Sequence, residues 1–444
     1  MRARPLMVLS SLFAACALAV AGPAAAQSVP DGPLTGFEER ERTAPPGAAV
    51  AWTSEAEEST FLAAIDDASE RVAIDVVGES VQGRPLRLVR IGAPVAPTAE
   101  AAAQGRSVLF TCSQHGDEPA GREGCLKRIR DLAFTQDPTV LAQLSANTVL
   151  FLPTANPDGR AADTRENAQS IDINRDHLDP LSPEGQTIQR LIRDLRPDVV
   201  ADMHEFNSRP LYDPELLYLW PRNRNVDSAV HRLSRQLSRR YVRRGAEAAG
   251  FSTGVYGISV LDGDAIAQDA GDEDERILRN VVGLRHAVGL LVETNIDAVA
   301  GNPEEADSAV TVQRRRVATQ VQAGIDVLRF QRERAEEIEA TTLGAPARAA
   351  AASGPLYLDG ADNRLPSIDD VLYPPPCAYD VTATEAERLA GTFALHGITT
   401  EPRGADVRVP LAQPARPIIP LLLDAQAEFS PVDGRRVATC GAGV

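Results

Sequence analysis

Positive charge is in short supply in this chain. Lys and Arg total 45 against 62 Asp and Glu, a net of −17. Nucleic acid and anionic membrane repel such a chain, so neither is expected as a partner. A second long apolar run is also missing. Residues 6–20 are apolar, but nothing after them is long and apolar enough to span a bilayer, so no membrane span is expected in the mature chain. No internal repeat is found. Cysteine and histidine are scarce, at five and six residues. With so few histidines, any that fall together with acids at strand ends carry weight. Apolar residues, at 43%, are enough for a sizeable core.

The first 26 residues have the pattern of a secretory leader. Arg2 and Arg4 precede the apolar run, and Ala24-Ala25-Ala26 forms a small-residue cleavage site before Gln27. The chain is therefore expected to be exported, periplasmic or secreted. Phe13-Ala14-Ala15-Cys16 loosely resembles a lipidation box, with Phe13 where Leu is expected. Cleavage removes Cys16 and leaves Cys112, Cys125, Cys377 and Cys440. An even number in an exported chain permits disulfides. Of the three pairings, Cys112 with Cys125 and Cys377 with Cys440 is favoured, because each pair falls within one region. Buried free thiols remain the alternative for the first pair.

Residues 27–53, rich in Pro, Gly and charge, predict an extended N-terminal arm. From 54 to 341 strand-like and helix-like patterns alternate. Strands are predicted at 86–91, 107–111, 147–153, 198–203 and 288–292. Helices are predicted at 121–134, 183–195, 226–249, 275–287 and 306–341. This alternation predicts an α/β fold, a sheet with helices on both faces. The Ala-, Gly- and Pro-rich stretch 342–355 predicts a linker, and 356–444 a small C-terminal α+β appendage.

Chemistry gathers at the predicted strand ends, where open α/β sheets place their sites. Gln114-His115-Gly116-Asp117-Glu118 follows the strand ending near Cys112. Its His and Glu, three apart, reach one metal ion if the loop turns into a helix between them. His204, in Asp202-Met203-His204-Glu205, is placed to meet them. Two His and one Glu leave a position open for water, as in catalytic zinc sites. Glu293 ends the apolar strand Val288-Gly289-Leu290-Leu291-Val292 and suits a general base. Asn156-Pro157-Asp158-Gly159, Arg165 and Asp172-Ile173-Asn174-Arg175 add forked guanidinium donors that match a carboxylate or an oxyanion.

In this order, from Gly78-Glu79-Ser80-Val81-Gln82-Gly83-Arg84-Pro85 through Glu293, these elements resemble the zinc carboxypeptidase family of metallopeptidases over residues 75–335. The resemblance implies a mixed, mostly parallel central sheet of about eight strands flanked by helices. It implies one zinc ion held by His115, Glu118 and His204, with Asp172 orienting His115. It also implies Arg165 as the oxyanion holder, Asn174 and Arg175 as the grip on the substrate's terminal carboxylate, and Glu293 as the general base. The activity implied is hydrolysis of the C-terminal peptide bond of peptides by a zinc-activated water.

Departures from the digestive members include a shorter interval between Glu118 and His204. Tyr256 is the one candidate for their substrate-capping tyrosine. Residues 255–285 do not align. They carry Asp262, Asp264, Asp269, Asp272, Glu273, Asp274 and Glu275 with Arg276, Arg279 and Arg285, either to select a basic terminal residue or as a solvated loop. The competing readings are a murein-peptide amidase or an acylamino-acid deacylase with the same zinc site, and a non-catalytic exported peptide-binding protein. With no long propeptide, the mature chain is expected to need no further processing.

Overall fold

The computed structural model describes residues 32–45, 47–208, 213–260, 266–268, 270–299, 302, 304–306 and 308–440. The expected leader, Asp262, Asp264 and Asp269 lie outside the described residues. An eight-stranded sheet runs through the larger part. Its strands are β1 (Val72–Glu79), β2 (Pro85–Ile91), β3 (Ser107–Cys112), β4 (Thr148–Leu152), β5 (Val199–Phe206), β6 (Leu216–Leu219), β7 (Thr253–Val255) and, after a small hairpin of β8 (Ile258–Val260) and β9 (Ile266–Gln268), β10 (Val288–Asn295). Their order is β1-β2-β4-β3-β5-β10-β6-β7. Four of the seven pairings are parallel, so the sheet is mixed and mostly parallel, as expected.

The central strands β3, β4, β5 and β10 are buried along their whole length. That is why they read as continuous apolar runs: helices cover both faces. One face packs on helices Pro119–Phe134 and Ala309–Glu333, bringing Leu126, Ile129, Val327 and Phe330 against Val108, Phe110, Val199 and Val292. The other carries helices Pro183–Leu195 and Leu278–Leu284, through Ile188, Ile192 and Leu278. Pro183 opens its helix behind the Ser182 cap, whose side chain accepts from the Gly185 amide.

The structure differs from the sequence reading in three stretches. The arm is not extended throughout. Thr35 and Glu38 form a capping box that starts a helix at Gly36–Thr43. Phe37 stacks on Trp52 at 4.8 Å, and Arg130 of the helix Pro119–Phe134 pairs with Glu38. The supposed linker is mostly helix, because the predicted helix 306–341 breaks at Arg334 and a second runs Ala335–Ala351. Alanine gives up no side-chain entropy in a helix, so a stretch resembling a spacer in composition folds. The helix predicted at 226–249 contains a π-helical turn, Leu237–Val242. Just beyond it Gly245 passes the Asp326 carboxylate so closely that an added Cβ would lie 2.0 Å from its oxygens.

The C-terminal region has a four-stranded antiparallel sheet formed by Ala378–Thr382, Glu401–Arg403, Asp406–Pro410 and Arg435–Val437. Its core is continuous with Leu178, Val226, Val230, Leu284 and Ala345 of the larger part. Asp362 adds polar ties, accepting from Trp220 Nε1 at 2.8 Å and Arg222 Nε at 2.7 Å. Both favoured cysteine pairs are disulfides, Cys112–Cys125 and Cys377–Cys440.

Candidate metal centre and its cavity

Three strands deliver the centre. The chain leaves β3 through Ser113, which takes a left-handed φ of 50°, and turns His115 inward. Glu118 stands at the N-terminal end of the helix Pro119–Phe134. The positive end of the helix dipole favours a carboxylate there. His204 and Glu293 are register partners on the parallel strands β5 and β10. His204 lies within β5, which runs three residues beyond its predicted end at Met203.

The ring atom His115 Nδ1 lies 2.6 Å from Glu118 Oε1, His204 Nδ1 lies 2.8 Å from Glu118 Oε2, and the two Nδ1 atoms are 3.1 Å apart. Among the described residues this is the one group of three such side chains that could hold a metal ion, with ligand atoms within 4.8 Å of one another. Ligands about 2.0–2.1 Å from a tetrahedral zinc are roughly 3.3 Å apart, so the cluster is close to that spacing. Two imidazoles and a carboxylate are donor types that zinc takes.

The outer nitrogens are also held. His115 Nε2 lies 3.2 Å from Asp172 Oδ1, and His204 Nε2 lies 2.9 Å from Asp202 Oδ1. Such carboxylates fix the ring and its tautomer. Burial raises the Glu118 carboxyl, but the charges of His115 and His204 outweigh it and hold it well below the usual carboxylate range. Partial burial raises Asp172 too, but hydrogen bonding to His115 with the charges of His115, Arg165 and Arg175 brings it far below its ordinary value. For Glu293 burial dominates and pushes the carboxyl well above its usual range, with Glu118 and Asp202 adding to it and His204 and Arg165 opposing. Its Oε2 is buried without a hydrogen-bond partner.

A cavity of about 170 Å³ opens over the cluster, lined by His115, Glu118, Arg165, Asn174, Arg175 and Glu293 among others. Arg165 Nε and Nη2 both donate to Asp172 Oδ2, at 3.0 and 2.8 Å, and Nη1 lies 3.1 Å from His115 Nδ1. Arg175 is half-exposed, with Nε 3.4 Å from Asp274. Tyr256 lines the same cavity. The charge of Glu293, then burial, raises its phenol.

Asn174 lines the cavity while its side chain is bound within the centre. Its side-chain amide lies 3.0 Å from His204 Nε2 and 3.3 Å from Asp202 Oδ2, and its Oδ1 accepts from the Leu278 amide at 2.9 Å. That commits both ends of the side chain to bracing the centre. The Asn156-Pro157-Asp158-Gly159 turn is structural too. Asn156 Nδ2 donates to the Gln114 and Arg165 carbonyls, and Gly116 abuts Gly159 so tightly that a Cβ would lie 1.9 Å from the Gly159 carbonyl carbon. Asp158 accepts from Ser80 Oγ at 2.7 Å and Arg84 Nη1 at 2.6 Å, which accounts for the 78–85 motif.

Other contributors carried no signal of their own. Gln114 donates to Asp202 Oδ1 at 2.6 Å and pairs through Oε1 with His177 Nε2 at 2.7 Å, extending the support of His204. Gln320 Nε2 donates to the His204 carbonyl at 2.7 Å. Glu205 turns away from the metal cluster, bound by Arg316 at 2.7 and 3.0 Å and by the Ala120 amide. Period-two alternation along β5 puts Asp202 on the face of His204, but only the fold supplies the others.

Residues 59–199 match the sequence profile of the family described as zinc carboxypeptidase. The chain is 28% identical over 229 residues to Carboxypeptidase 2 of Trichophyton tonsurans, covering 49% of this chain and 42% of that one. It is 32% identical over 135 residues to Carboxypeptidase D of Mus musculus, covering 24% and 10%. The chain thus spans less than half the length of these relatives. A solved metallo-carboxypeptidase from Pseudomonas aeruginosa aligns at 20% identity over 64% of this chain and 70% of its own, with a TM-score of 0.49.

Proposed function

We propose that this chain, which carries a zinc carboxypeptidase domain over residues 59–199, is an exported metallocarboxypeptidase that removes the C-terminal residue of peptides. The observation that carries the reading is the convergence of His115, Glu118 and His204 in one cluster beneath a cavity that Glu293, with a buried, unpartnered oxygen, also lines. His115, Glu118 and His204 would hold one zinc ion, which when bound supplies Lewis acidity and lowers the pKa of water.

The protein's own groups do the rest. Glu293, raised by burial, takes a proton from the attacking water and returns it to the leaving amine. Arg165, anchored on Asp172, presents its remaining edge to the carbonyl oxygen as negative charge develops. Arg175 takes the substrate's terminal carboxylate, and Asn174 beside it holds the floor of the cavity. Asp172 and Asp202 keep the two imidazoles oriented.

Export, to the periplasm or the medium, rests on the leader-like residues 1–26. No helix among the described residues is long and apolar enough to cross a membrane.

The test is mass spectrometry of a mixed peptide pool, cell-wall peptides included, after incubation with zinc-loaded protein. Products shortened by one C-terminal residue support the reading. Cleavage confined to the cell-wall peptides would move it to a murein-peptide amidase.

A further inference from the structure

We propose that Arg279 makes the cavity selective for peptides ending in an acidic residue, by pairing with the side-chain carboxylate of that residue. The inference rests on the carboxypeptidase reading and names its substrate class.

Among the described residues three guanidinium groups line the cavity: Arg165, Arg175 and Arg279. Arg165 is neutralised by Asp172 at 2.8 Å, and Arg175 faces Asp274 at 3.4 Å. Among the described residues Arg279 has no such partner. It is 1% exposed, its Nη2 donates to the Asp272 carbonyl at 2.7 Å, and its Nε is buried with no acceptor. Among the described residues no carboxylate lies within ion-pair distance of it. Burial lowers its pKa to about 10, still above physiological pH, so the group stays charged. The charge of Asp272 acts on it from beyond ion-pair distance and only partly offsets its burial, and an anion in the cavity would offset more of that cost.

The carboxylates of the cavity do not fill the role. Glu118 belongs to the metal cluster and Glu293 is assigned to proton transfer. Glu205 is held by Arg316. Asp272 is exposed, and its Oδ1 takes the Asp274 amide at 3.3 Å.

The acids around 272–275 are not poised for a basic side chain either. Asp274 binds Arg276 and Arg175, Glu273 pairs with Arg364, and Glu275 is buried.

Placement fits as well. Arg279 is the second residue of the helix Leu278–Leu284, and Asn174 holds the first turn of that helix through the Leu278 amide. The head of Arg279 is fixed to Asp272 beside Gly271. A Cβ at Gly271 would come within 2.8 Å of the Tyr256 carbonyl, so the 270–272 segment closes tightly on that side of the cavity. With Arg175 on the terminal carboxylate, a second carboxylate on the terminal side chain brings Arg279 its missing partner. A fixed guanidinium also gives the forked geometry that favours a carboxylate over its amide.

The test is steady-state kinetics of the zinc-loaded wild-type protein on peptides identical except for a terminal Glu, Gln, Leu or Lys. Gln has the shape of Glu without its charge, so the Glu/Gln ratio isolates the pairing. The expected kcat/KM ratio is roughly 10–100, carried mainly by KM, because a buried charge-assisted pair is exchanged for a neutral contact. Arg279→Met should bring the ratio close to one, and Arg279→Lys should restore part of it. The wild-type ratio decides the matter even where a variant does not fold. Efficient cleavage with Gln, Leu or Lys equal to or better than Glu overturns the selectivity and leaves the carboxypeptidase reading standing. Cleavage of none of the peptides overturns both.

Discussion

Asp202 Oδ1 lies 2.9 Å from His204 Nε2, two residues away on the same face of β5, and places a carboxylate behind the ring whose other nitrogen faces Glu118. Such a partner fixes the tautomer and makes the imidazole a better ligand. Asp202→Asn should weaken zinc binding about 10–100-fold, the usual cost of losing a carboxylate behind a metal-bound His. Competition with a chromophoric chelator measures it. Unchanged affinity would show that Asp202 is not needed to hold the ring.

The metal-binding loop depends on a backbone approach that only glycine permits. A Cβ on Gly116 would sit 1.9 Å from the Gly159 carbonyl carbon and 2.3 Å from the Arg160 amide nitrogen. Backbone cannot swing aside as a side chain can. Gly116→Ala should therefore destabilise the protein by about 2–3 kcal/mol and displace His115. Urea unfolding and zinc titration read the two effects. A variant of wild-type stability and affinity would contradict this account of the turn.

The N-terminal arm is expected to contribute to stability. Glu38 is buried between Arg130 and Lys127, and the Thr53 amide and hydroxyl both donate to Glu123, at 2.8 and 2.9 Å. Removing one member of a buried ion pair strands the other, at a cost of roughly 3–5 kcal/mol. Arg130→Met should approach the lower end, because Lys127 still faces Glu38. Denaturant midpoints compare it with wild type, and a shift worth less than about 1 kcal/mol would place the arm outside the cooperative unit.

His396 predicts a pH dependence. It is buried where the C-terminal region meets the larger part, its Nε2 donates to the Leu178 carbonyl at 2.7 Å, and burial lowers its pKa to about 3. The unfolded chain therefore binds a proton more readily than the folded one between pH 6.5 and 3. Stability from this group is complete above 6.5 and declines as pH falls toward 3. Glu275 and Asp326, raised by burial to about 8 and about 6, act with the opposite sign, so wild type alone does not isolate the effect. Comparison with His396→Gln, which keeps a donor for Leu178 and cannot titrate, does. Between pH 7 and 5 the variant should gain roughly 2 kcal/mol relative to wild type. Parallel pH profiles would contradict the buried neutral imidazole.

The parts of the centre that read clearly in the sequence are those that chemistry confines to few residue types. With six histidines in the chain, His115 and His204 stood out beside acids at strand ends, and Glu293 stood out behind five apolar residues. The buried strands were legible because both their faces are covered. Asn174 shows the limit. Its motif pointed to substrate, but whether an amide faces a cavity or a neighbouring carboxylate is set by atoms far away in sequence, here Asp202 and Leu278. The continuation of helix Ala335–Ala351 past Thr341 was hidden because an alanine-rich segment has the same composition as helix and as spacer, and tertiary packing of Ala345 decides. Gln114, His177 and Gln320 gave no local signal, since common polar residues acquire a role only from what the fold sets beside them.

Glu293 is proposed to move the proton at a zinc centre it does not itself hold. The direct measurement is the rate of C-terminal residue release by wild type and Glu293→Gln, with zinc content determined on the same samples. The account predicts one zinc per chain in both and a rate about 10²–10⁴-fold lower in the variant, the usual worth of a general base. A variant that keeps its zinc and the wild-type rate would contradict it.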